Sequence, residues 1–332
     1  MIRTKTDDLI PVFIVGCYRS GTSLMRLILS THQKIYISQE TNYIDRIWMR
    51  LDCYRKDSGE YDLQRLHEDV VAYLRAERWN PLPTLQELLE WVCLNGGGYH
   101  SIVTFYGIWG AVVEGRREIV YWGDNTPRYI HCMNLLKNLF PAARFIHMVR
   151  DPRDVVASAI KLPFGGKTAL GIAYDWERAV LRGVLAESVW GADQVKRVRY
   201  ESLVMDPKTT IADVCEFLGV DFSEKMLDFY STEAAKALST LKHHSRVIEP
   251  IFQGSVGRYK RELSKSEIEI IEGYLSESMV LLEYLDEVDY LKATSTRLRK
   301  AKKMWGLMGV ECVKRTSALF KSELARKLIR KK

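Results

Sequence analysis

The sequence GCYRSGTSL, residues 16–24, has the residue types and spacing of an anion-binding turn. It lies between an apolar run at 11–15 and an apolar-periodic segment that begins at Leu24, so we expect a strand, a turn and a helix. Backbone N–H groups and the positive end of a helix dipole bind phosphate at such turns. The nucleoside-triphosphate loop has the pattern G-x-x-x-x-G-K-[ST], but Thr22 occupies the lysine position here. Arg19 instead places a forked, permanent cation inside the turn, and a tight turn without a ligand is the alternative.

A second segment, RFIHMVRDPRDVVASAIK at 144–161, repeats the arrangement of strand, turn and helix. Arg150 stands at the carboxyl end of the predicted strand, and Ser158 lies about two turns into the predicted helix. Asp151 suits the N-cap position and Pro152 suits the first helical position. Because the carboxyl ends of parallel strands share one sheet edge, the segment predicts a second oxyanion-binding site. An ordinary capped helix is the alternative.

The elements that must position these residues alternate between strand and helix. Short buried strands are predicted at 12–15, 35–37, 119–122, 144–149 and 195–200. Helical patterns lie at 44–49, 63–79, 84–94, 102–113, 170–190, 209–218, 223–229 and 266–276. This order predicts one α/β domain with a central parallel sheet of about five strands flanked by helices. We expect a helical insertion at about 43–117 to cap the carboxyl ends of the strands and shape an acceptor pocket.

Composition and charge describe a globular chain with a basic end. The 332 residues are 47% hydrophobic and 27% charged, which is typical of a folded protein. Residues 292–332 hold 14 Lys and Arg against Glu311 and Glu323, a net charge of +12 that exceeds the +7 of the whole chain. We therefore divide the chain into a domain at 1–290 and a basic amphipathic helical tail at 291–332.

Cysteine usage and the amino-terminal residues indicate a reducing compartment. The six cysteines are scattered without a C-x-x-C pair, so neither a zinc site nor a disulfide framework is predicted, and no metal is expected. The first residues lack the apolar region of a signal peptide. We expect a cytoplasmic protein.

Taken in order and context, the two strand-loop-helix motifs resemble those of sulfotransferases that use 3′-phosphoadenosine 5′-phosphosulfate, PAPS. In that family the first motif binds the 5′-phosphosulfate, and a later motif with R-D-P-R-D-x-x-x-S binds the 3′-phosphate. Residues 16–24 and 150–158 match these motifs, and the similarity extends over roughly residues 11–263. The resemblance implies the P-loop-like sulfotransferase fold, PAPS as the donor and no metal requirement.

The resemblance also assigns roles to single residues of this chain. The residues that it implies for the 5′-phosphate and the sulfuryl group are Arg19, Ser20, Gly21, Thr22 and Ser23. It implies that Arg150 and Ser158 hold the 3′-phosphate and that Tyr200 lies near it; a half-buried core aromatic is the alternative for Tyr200. The segment 255–258 resembles an S-K-G-R loop that closes over the 3′-phosphate, which assigns Arg258 there; an exposed turn is the alternative.

Two departures from the family pattern remove positive charge from the reacting bond. Asn125, in Asp124-Asn125-Thr126-Pro127, stands where many relatives have a lysine after the third strand, and Val256 replaces the lysine of S-K-G-R. Each lysine would neutralise charge on the bridging oxygen as the S–O bond breaks. Arg19 is left as the main cation that the sequence identifies, and Lys161 and Lys167 are the candidates to compensate.

The acceptor hydroxyl needs a general base within hydrogen-bond reach of its proton. Glu40 follows the second predicted strand, in a stretch that resembles the G-E-E-T segment of tyrosylprotein sulfotransferases, where the matching glutamate acts as base. The resemblance therefore implies that Glu40 is the base; a helix-start carboxylate stabilised by the helix dipole is the alternative. Cytosolic sulfotransferases use histidine, but His131 and His147 lie on a predicted helix and inside a predicted strand, away from the sulfuryl position.

Two other functions stay open at the level of the sequence. A P-loop kinase or NTPase is favoured by the apolar strand that ends at Asp124, which would face Mg²⁺ as a Walker B residue does, and disfavoured by the missing lysine at Thr22. A weakly active PAPS-binding homologue is favoured by the two missing lysines.

The acceptor and the tail are the least specified parts of the sequence. The Glu40 segment favours a phenolic or other hydroxyl acceptor, and phenol, peptide tyrosine, glycan and lipid all stay open. The segment 298–329 mixes basic and apolar residues at amphipathic spacing, which suits an anionic membrane surface. We therefore expect peripheral attachment at the inner face of the membrane, with a solvated helix as the alternative. Sparse aromatic residues argue against nucleic acid.

Overall fold

The computed structural model describes residues 9–162, 168–240 and 248–293, and it contains one sheet of five parallel strands. The strands are β1 (Ile10–Gly16), β2 (Ile35–Ser38), β3 (Tyr121–Asp124), β4 (Arg144–Val149) and β5 (Val195–Arg199). They pair in the order β2-β3-β1-β4-β5, and every neighbouring pair is parallel. The predicted α/β fold with a five-stranded parallel sheet is confirmed.

Helices connect the strands as the sequence predicts. Their bounds are α1 (Thr22–Ser30), α2 (Ile44–Trp48), α3 (Leu63–Ala76), α4 (Leu85–Asn95), α5 (Tyr99–Val113), α6 (Met133–Leu139), α7 (Pro152–Ala159), α8 (Ala169–Trp190), α9 (Tyr200–Met205), α10 (Pro207–Leu218), α11 (Glu233–Ser239), α12 (Tyr259–Glu262) and α13 (Lys265–Leu281). Short 3-10 segments lie at Leu51–Tyr54, Pro127–Cys132, Glu224–Ser231 and Gln253–Ser255. The predicted helical insertion is formed by α2 to α5.

Several elements begin or end elsewhere than the sequence predicts. The first strand begins two residues earlier, α3 ends three residues earlier, and the helix predicted at 223–229 is the 3-10 segment Glu224–Ser231. The third strand runs two residues later than the apolar run at 119–122. It continues through Gly123, where a side chain would lie 1.9 Å from the carbonyl oxygen of Val12. Only glycine lets β1 and β3 approach this closely. At the end of β5, Tyr200 begins α9 and does not end the strand.

The described residues form two compact units. The first comprises Met1–Val149 and Arg182–Gln253 and contains the sheet; the second comprises Arg150–Leu181 and Gly254–Lys332 and contains α7, α12 and α13. The core of the first unit packs apolar residues of α1, α10 and the 3-10 segment Glu224–Ser231 against β1, β2 and β4. Because β1 pairs with β3 on one side and β4 on the other, its carboxyl end is the topological switch point at which ligands bind in open α/β sheets.

Arg116 fixes the connection between α1 and β2 in the first unit. Its guanidinium donates to the carbonyl oxygens of Ser30 at 3.0 Å, Ile35 at 2.7 Å and Gln33 at 3.3 Å. These carbonyls lie at the end of a helix and the start of a strand, where backbone acceptors lack partners. The arginine thereby holds the strand whose carboxyl end leads to Glu40.

No helix of the part that the structure describes is long and apolar enough to cross a membrane. The amphipathic segment at 298–329 lies outside the described residues, and so does Lys167. The predictions for both stay predictions.

Candidate active site

The loop after β1 has the backbone of an anion-binding turn. Arg19 adopts a φ of 66°, and Gly21 precedes α1 with φ 92° and ψ 15°. A positive φ is uncommon for a residue other than glycine, and such strain is often kept at ligand sites. Gly21 makes no side-chain cap, and the first turn of α1 contains no acidic residue. The N–H groups of that turn therefore face no carboxylate from the helix itself.

Ser20 gives this loop an observation that points to a ligand. Its side chain is fully buried, and its Oγ has no hydrogen-bond partner among the residues that the structure describes. A buried hydroxyl without a partner costs about 1–3 kcal/mol, so such groups in folded proteins call for an explanation. A phosphate or sulfate oxygen at the loop would accept the hydroxyl proton, so the residues present fit an anionic group there.

The ring of Tyr200 covers Gly21 in the first unit. A Cβ built on Gly21 would lie 2.5 Å from Cδ2 and 3.1 Å from Cε2 of Tyr200. The side chain of Tyr200 is buried, as the alternative of a core aromatic requires. The ring lies against the loop assigned to the 5′-phosphate, whereas the resemblance implies a place near the 3′-phosphate, so the predicted role of Tyr200 stays a prediction.

Gly21→Ala is expected to destabilise the protein and to remove nucleotide binding, because an alanine meets both a positive φ and the Tyr200 ring. Overpacking costs about 1–3 kcal/mol in addition to about 1–2 kcal/mol for the left-handed backbone. Gly59→Ala is the matched control, since Gly59 has φ 84° and nothing within 4 Å of its Cβ position. Thermal unfolding of both variants measures the difference. Equal losses of Tm would contradict a tight contact between Gly21 and Tyr200.

Glu40 lies after β2, half-buried, beside a second carboxylate. Asn42 Nδ2 donates to Glu77 Oε1 at 2.8 Å and to Glu40 Oε2 at 3.4 Å. Trp79 Nε1 donates to the carbonyl oxygen of Glu40 at 3.1 Å, and Gln39 Nε2 donates to that of Glu77 at 3.2 Å. The residues that follow α3 therefore clamp the loop that carries Glu40.

Burial is the main cause that raises the pKa of Glu40, and repulsion from Glu77 adds to it. The hydrogen bond from Asn42 and the charge of Arg26 act in the opposite direction, but the pKa reaches about 7. A general base works best with a pKa close to the operating pH. The environment of Glu40 is therefore that of a carboxylate suited to take up a proton near neutrality.

Asp124 anchors the chain next to Glu40. Its Oδ1 accepts the N–H of Thr126 at 2.7 Å, and its Oδ2 accepts the hydroxyl of Thr41. Thr41 N–H also donates to Thr126 Oγ1 at 2.9 Å, and its hydroxyl oxygen lies 2.8 Å from the hydroxyl oxygen of Tyr129. Burial raises the pKa of Asp124 to about 7, although these hydrogen bonds oppose the shift. The contacts describe an aspartate that fixes the loop after β2.

Asn125, at the position where the resemblance leads one to expect a lysine, follows Asp124 and is buried. Its Oδ1 has no hydrogen-bond partner within the described ranges. An amide supplies both a donor and an acceptor, so the side chain is equipped to bind a polar group but brings no charge. Asn125 therefore does not replace the positive charge of the expected lysine.

The first unit contains a buried cation that sequence reasoning missed. Arg26 lies on α1, one turn after Thr22, and is 8% exposed. Burial lowers its pKa, while Tyr36, Glu40 and Glu114 favour its charged form electrostatically. An arginine among the apolar residues of an amphipathic helix was the signal that could have found it.

The surroundings of His147 are not those of a catalytic base. It is fully buried in β4, and neither ring nitrogen has a hydrogen-bond partner in the part of the chain that the structure covers. Burial lowers its pKa to about 3, so the ring is neutral. A Cβ on Gly183 would lie 2.1 Å from its Cε1 atom, which places the ring against α8.

The second unit contains three of the residues predicted for the 3′-phosphate, Arg150, Ser158 and Arg258, while Tyr200 belongs to the first unit. Asp151 caps α7 by accepting the N–H of Arg153 at 2.8 Å, and Pro152 is the first helical residue, as predicted. Arg150 and Ser158 are 5% and 9% exposed, and Arg150 Nη2 donates to the carbonyl oxygen of Ser255 at 2.7 Å. Arg150 therefore contacts the predicted S-V-G-R loop.

Arg258 precedes α12 as its N-cap residue and pairs with the last residue of that helix. Its Nε and Nη2 atoms each lie 2.9 Å from the carboxylate of Glu262. This bidentate pair gives the guanidinium a fixed direction. Lys161, the other candidate in this unit, is an exposed residue after α7.

Comparison with known proteins extends over most of the described chain. A model described as "Sulfotransferase family" matches residues 11–224. Protein-tyrosine sulfotransferase 1 of Danio rerio is 25% identical over 253 residues, 74% of this chain and 64% of that protein. The Drosophila melanogaster protein-tyrosine sulfotransferase is 28% identical over 251 residues, 72% of this chain and 45% of that protein.

Among solved structures, the sulfotransferase domain of the Synechococcus PCC 7002 olefin synthase is similar with a TM-score of 0.54 and 25% identity. The match covers 82% of this chain and 96% of that domain. The sulfotransferase domain of the curacin biosynthetic pathway matches with a TM-score of 0.52 and 18% identity, over 82% and 99%. The chain spans between 30% and 64% of the length of the first curated relatives that it matches.

Proposed function

The chain belongs to the sulfotransferase family, and from this premise we propose that it transfers the sulfuryl group of PAPS to a hydroxyl acceptor and releases 3′,5′-ADP. When bound, PAPS supplies the sulfuryl group, whose bond to the 5′-phosphate oxygen breaks as the acceptor oxygen bonds to sulfur. One observation carries the proposal: Glu40, whose pKa is about 7, follows β2 at the same edge of the sheet as the loop after β1. In that loop the hydroxyl of Ser20 is buried and has no hydrogen-bond partner among the described residues.

Glu40 is proposed as the general base. Its carboxylate takes the acceptor proton, and the clamp of Asn42, Trp79 and Glu77 keeps it in place. Because its pKa lies near 7, the carboxylate is largely ionised at slightly alkaline pH and still basic enough to bind a proton.

The family resemblance assigns the two ends of the donor to different residues, and these assignments are part of the proposal. The residues proposed to hold the 5′-phosphate and the sulfuryl end, through N–H groups, hydroxyls and one guanidinium, are Arg19, Ser20, Gly21, Thr22 and Ser23. Arg150 and Ser158 are proposed to hold the 3′-phosphate, with Arg258 and Tyr200 assigned to the same group. Tyr200 covers the loop that holds the 5′-end.

The acceptor class is proposed to be a phenolic hydroxyl. A phenol has a pKa of about 10, close enough to that of Glu40 for proton transfer as the oxygen attacks. Relatives named as protein-tyrosine sulfotransferases support this class, with glycan and lipid hydroxyls as the next candidates. Attachment of the segment 298–329 to an anionic membrane surface, and a cytoplasmic location at its inner face, stay predictions.

The kinase alternative makes a different demand on Asp124. A Walker B aspartate must face a metal, whereas both carboxylate oxygens of Asp124 accept hydrogen bonds from Thr41 and Thr126. Thermal shift with ATP and Mg²⁺ against 3′,5′-ADP separates the two functions. Stronger stabilisation by ATP and Mg²⁺ would replace the sulfotransferase proposal by a kinase, and absence of ³⁵S transfer from labelled PAPS to phenols or tyrosine peptides would leave a binding protein.

Arg150→Ala is expected to weaken 3′,5′-ADP binding by roughly 10- to 100-fold, because a charge-assisted hydrogen bond contributes about 1.5–3 kcal/mol. Titration calorimetry with wild type and variant measures the change. Lys265→Ala, which removes an exposed cation at the start of α13 in the same unit, is the control and should bind 3′,5′-ADP as wild type does. Equal affinity of Arg150→Ala and wild type would remove Arg150 from the proposed site.

A further inference from the structure

The buried carboxylate of Asp154 holds the backbone of a loop that is distant in the sequence. Asp154 lies on α7 and is fully buried. Its Oδ2 accepts the N–H of Gly257 at 2.8 Å, and its Oδ1 accepts the N–H of Tyr259 at 3.0 Å. Both partners belong to the segment 254–259 of the same unit.

Arg150 is tied to the same carboxylate and the same loop. Its Nη2 atom lies 3.9 Å from Asp154 Oδ2 and donates to the carbonyl oxygen of Ser255 at 2.7 Å. Asp154 therefore contacts, on one side, the arginine assigned to the 3′-phosphate and, on the other, the loop assigned to close over it. A single side chain fixes the distance between these two parts.

The chemistry of this position requires an ionised carboxylate. All three partners of Asp154 are donors, and an ionised carboxylate accepts at both oxygens. Burial raises the pKa of Asp154, while the N–H of Tyr259, the charge of Arg150 and the N–H of Gly257 lower it. A buried charge is retained at acceptable cost only when it is paired and hydrogen-bonded, and these three contacts meet that condition.

Asp154 has the wrong charge to bind a phosphate itself, so any effect on phosphate must pass through its partners. We propose that Asp154 is a positioning residue that sets the Arg150 guanidinium and the loop 254–259 in the arrangement that recognises the 3′-phosphate of the donor nucleotide. This inference rests on the proposed function. It predicts that Asp154 governs the preference for a 3′-phosphorylated nucleotide over the same nucleotide without that group.

The preference is measured as the ratio of the Kd for 5′-AMP to the Kd for 3′,5′-ADP, by titration calorimetry on the full chain. Asp154→Asn turns one acceptor oxygen into an NH₂ group that faces a donor, so we expect the ratio to fall by about 10-fold or more. The Kd for 5′-AMP should stay within about twofold of wild type. Hydrogen exchange at the amides of Gly257 and Tyr259 should become faster in the same variant.

Glu177→Gln is the matched control, since Glu177 accepts the hydroxyl of Ser278 at 2.9 Å in the same unit, a contact that does not involve the loop 254–259. It should leave the ratio unchanged even where it lowers the Tm. If Asp154→Asn does not fold, Asp154→Glu carries the test, because it keeps two acceptor oxygens but displaces them by one methylene group. A ratio below that of wild type is then expected.

The outcomes separate this inference from the proposed function. If wild type binds 5′-AMP as tightly as 3′,5′-ADP, the PAPS donor is wrong. If wild type prefers 3′,5′-ADP and the Asp154 variants keep that ratio, or lose both affinities equally, the positioning role is overturned. A reduced ratio with unchanged binding of 5′-AMP supports it.

Discussion

Glu40→Gln is expected to lower kcat for sulfuryl transfer by roughly 10²–10⁴-fold, the usual contribution of a general base, while 3′,5′-ADP binding stays nearly unchanged. Glutamine keeps the shape of the side chain and still accepts the hydrogen bond from Asn42, but it cannot take the acceptor proton. Steady-state transfer from labelled PAPS and calorimetric titration with 3′,5′-ADP measure the two quantities. Full activity of Glu40→Gln would show that the base lies elsewhere.

The pH dependence gives an independent measure of the same residue. Transfer should rise with pH through about 7, because Glu40 must lose its proton before it can act as base. Glu77→Gln should move this rise to lower pH, since it removes the carboxylate whose repulsion raises the pKa of Glu40. A rise that stays in place in Glu77→Gln would contradict the pairing of the two carboxylates.

Stability should change in the opposite direction to activity. The pKa of Glu40 is raised in the folded state, so its protonated form is favoured there, and stability is lost as pH rises from about 4.5 through about 7. Glu40→Gln removes this loss, and its Tm relative to wild type should therefore increase over that pH range. Such an exchange of stability for function is expected at a catalytic position.

The sequence was sufficient for the parts of the fold that depend on local patterns. The apolar runs predicted all five strands, and the capping residues Asp151 and Pro152 predicted the start of α7. The bounds of β3 were missed because Gly123 and Asp124 do not resemble strand residues. What decides their conformation is the close approach of Val12, which lies more than a hundred residues away.

The candidate site divides in a similar way between local and distant contacts. Motif positions such as Arg19, Glu40 and Arg150 were available from spacing and resemblance. Glu77 was not, because it lies in the helical insertion, 37 residues after Glu40, and comes beside it through packing that the sequence does not show. Asp154 stood inside a recognised motif, but its partners Gly257 and Tyr259 are more than a hundred residues away. Contacts that long-range packing alone creates leave no periodic signal in the sequence.

Because the two lysines are missing, the remaining cations must stabilise the negative charge that develops on the departing phosphate. Asn125 and Val256 bring no charge, and the first unit instead buries Arg26 on the helix that follows the loop. Arg26 acts electrostatically on Glu40, which favours the ionised base. Arg19 remains the cation inside the loop that is proposed to hold the departing phosphate. Its replacement should therefore lower kcat more than it weakens the binding of 3′,5′-ADP.

Arg19→Ala is expected to lower kcat by roughly 10²–10³-fold, the usual loss when a preorganised group that stabilises developing charge is removed. The Kd for 3′,5′-ADP should rise much less, because backbone N–H groups of the loop still bind the phosphate. Arg19→Lys retains a charge without the forked geometry and should recover part of kcat.

Arg19→Gly separates the charge of Arg19 from its backbone, since the residue adopts φ 66°. Glycine takes this conformation without strain, so a loss caused by the backbone alone would be absent in Arg19→Gly. We expect Arg19→Gly to be as slow as Arg19→Ala, because both lack the guanidinium. If either variant kept kcat within a few-fold of wild type, the developing charge would have to be stabilised by another group, and Arg26 would be the next residue to replace.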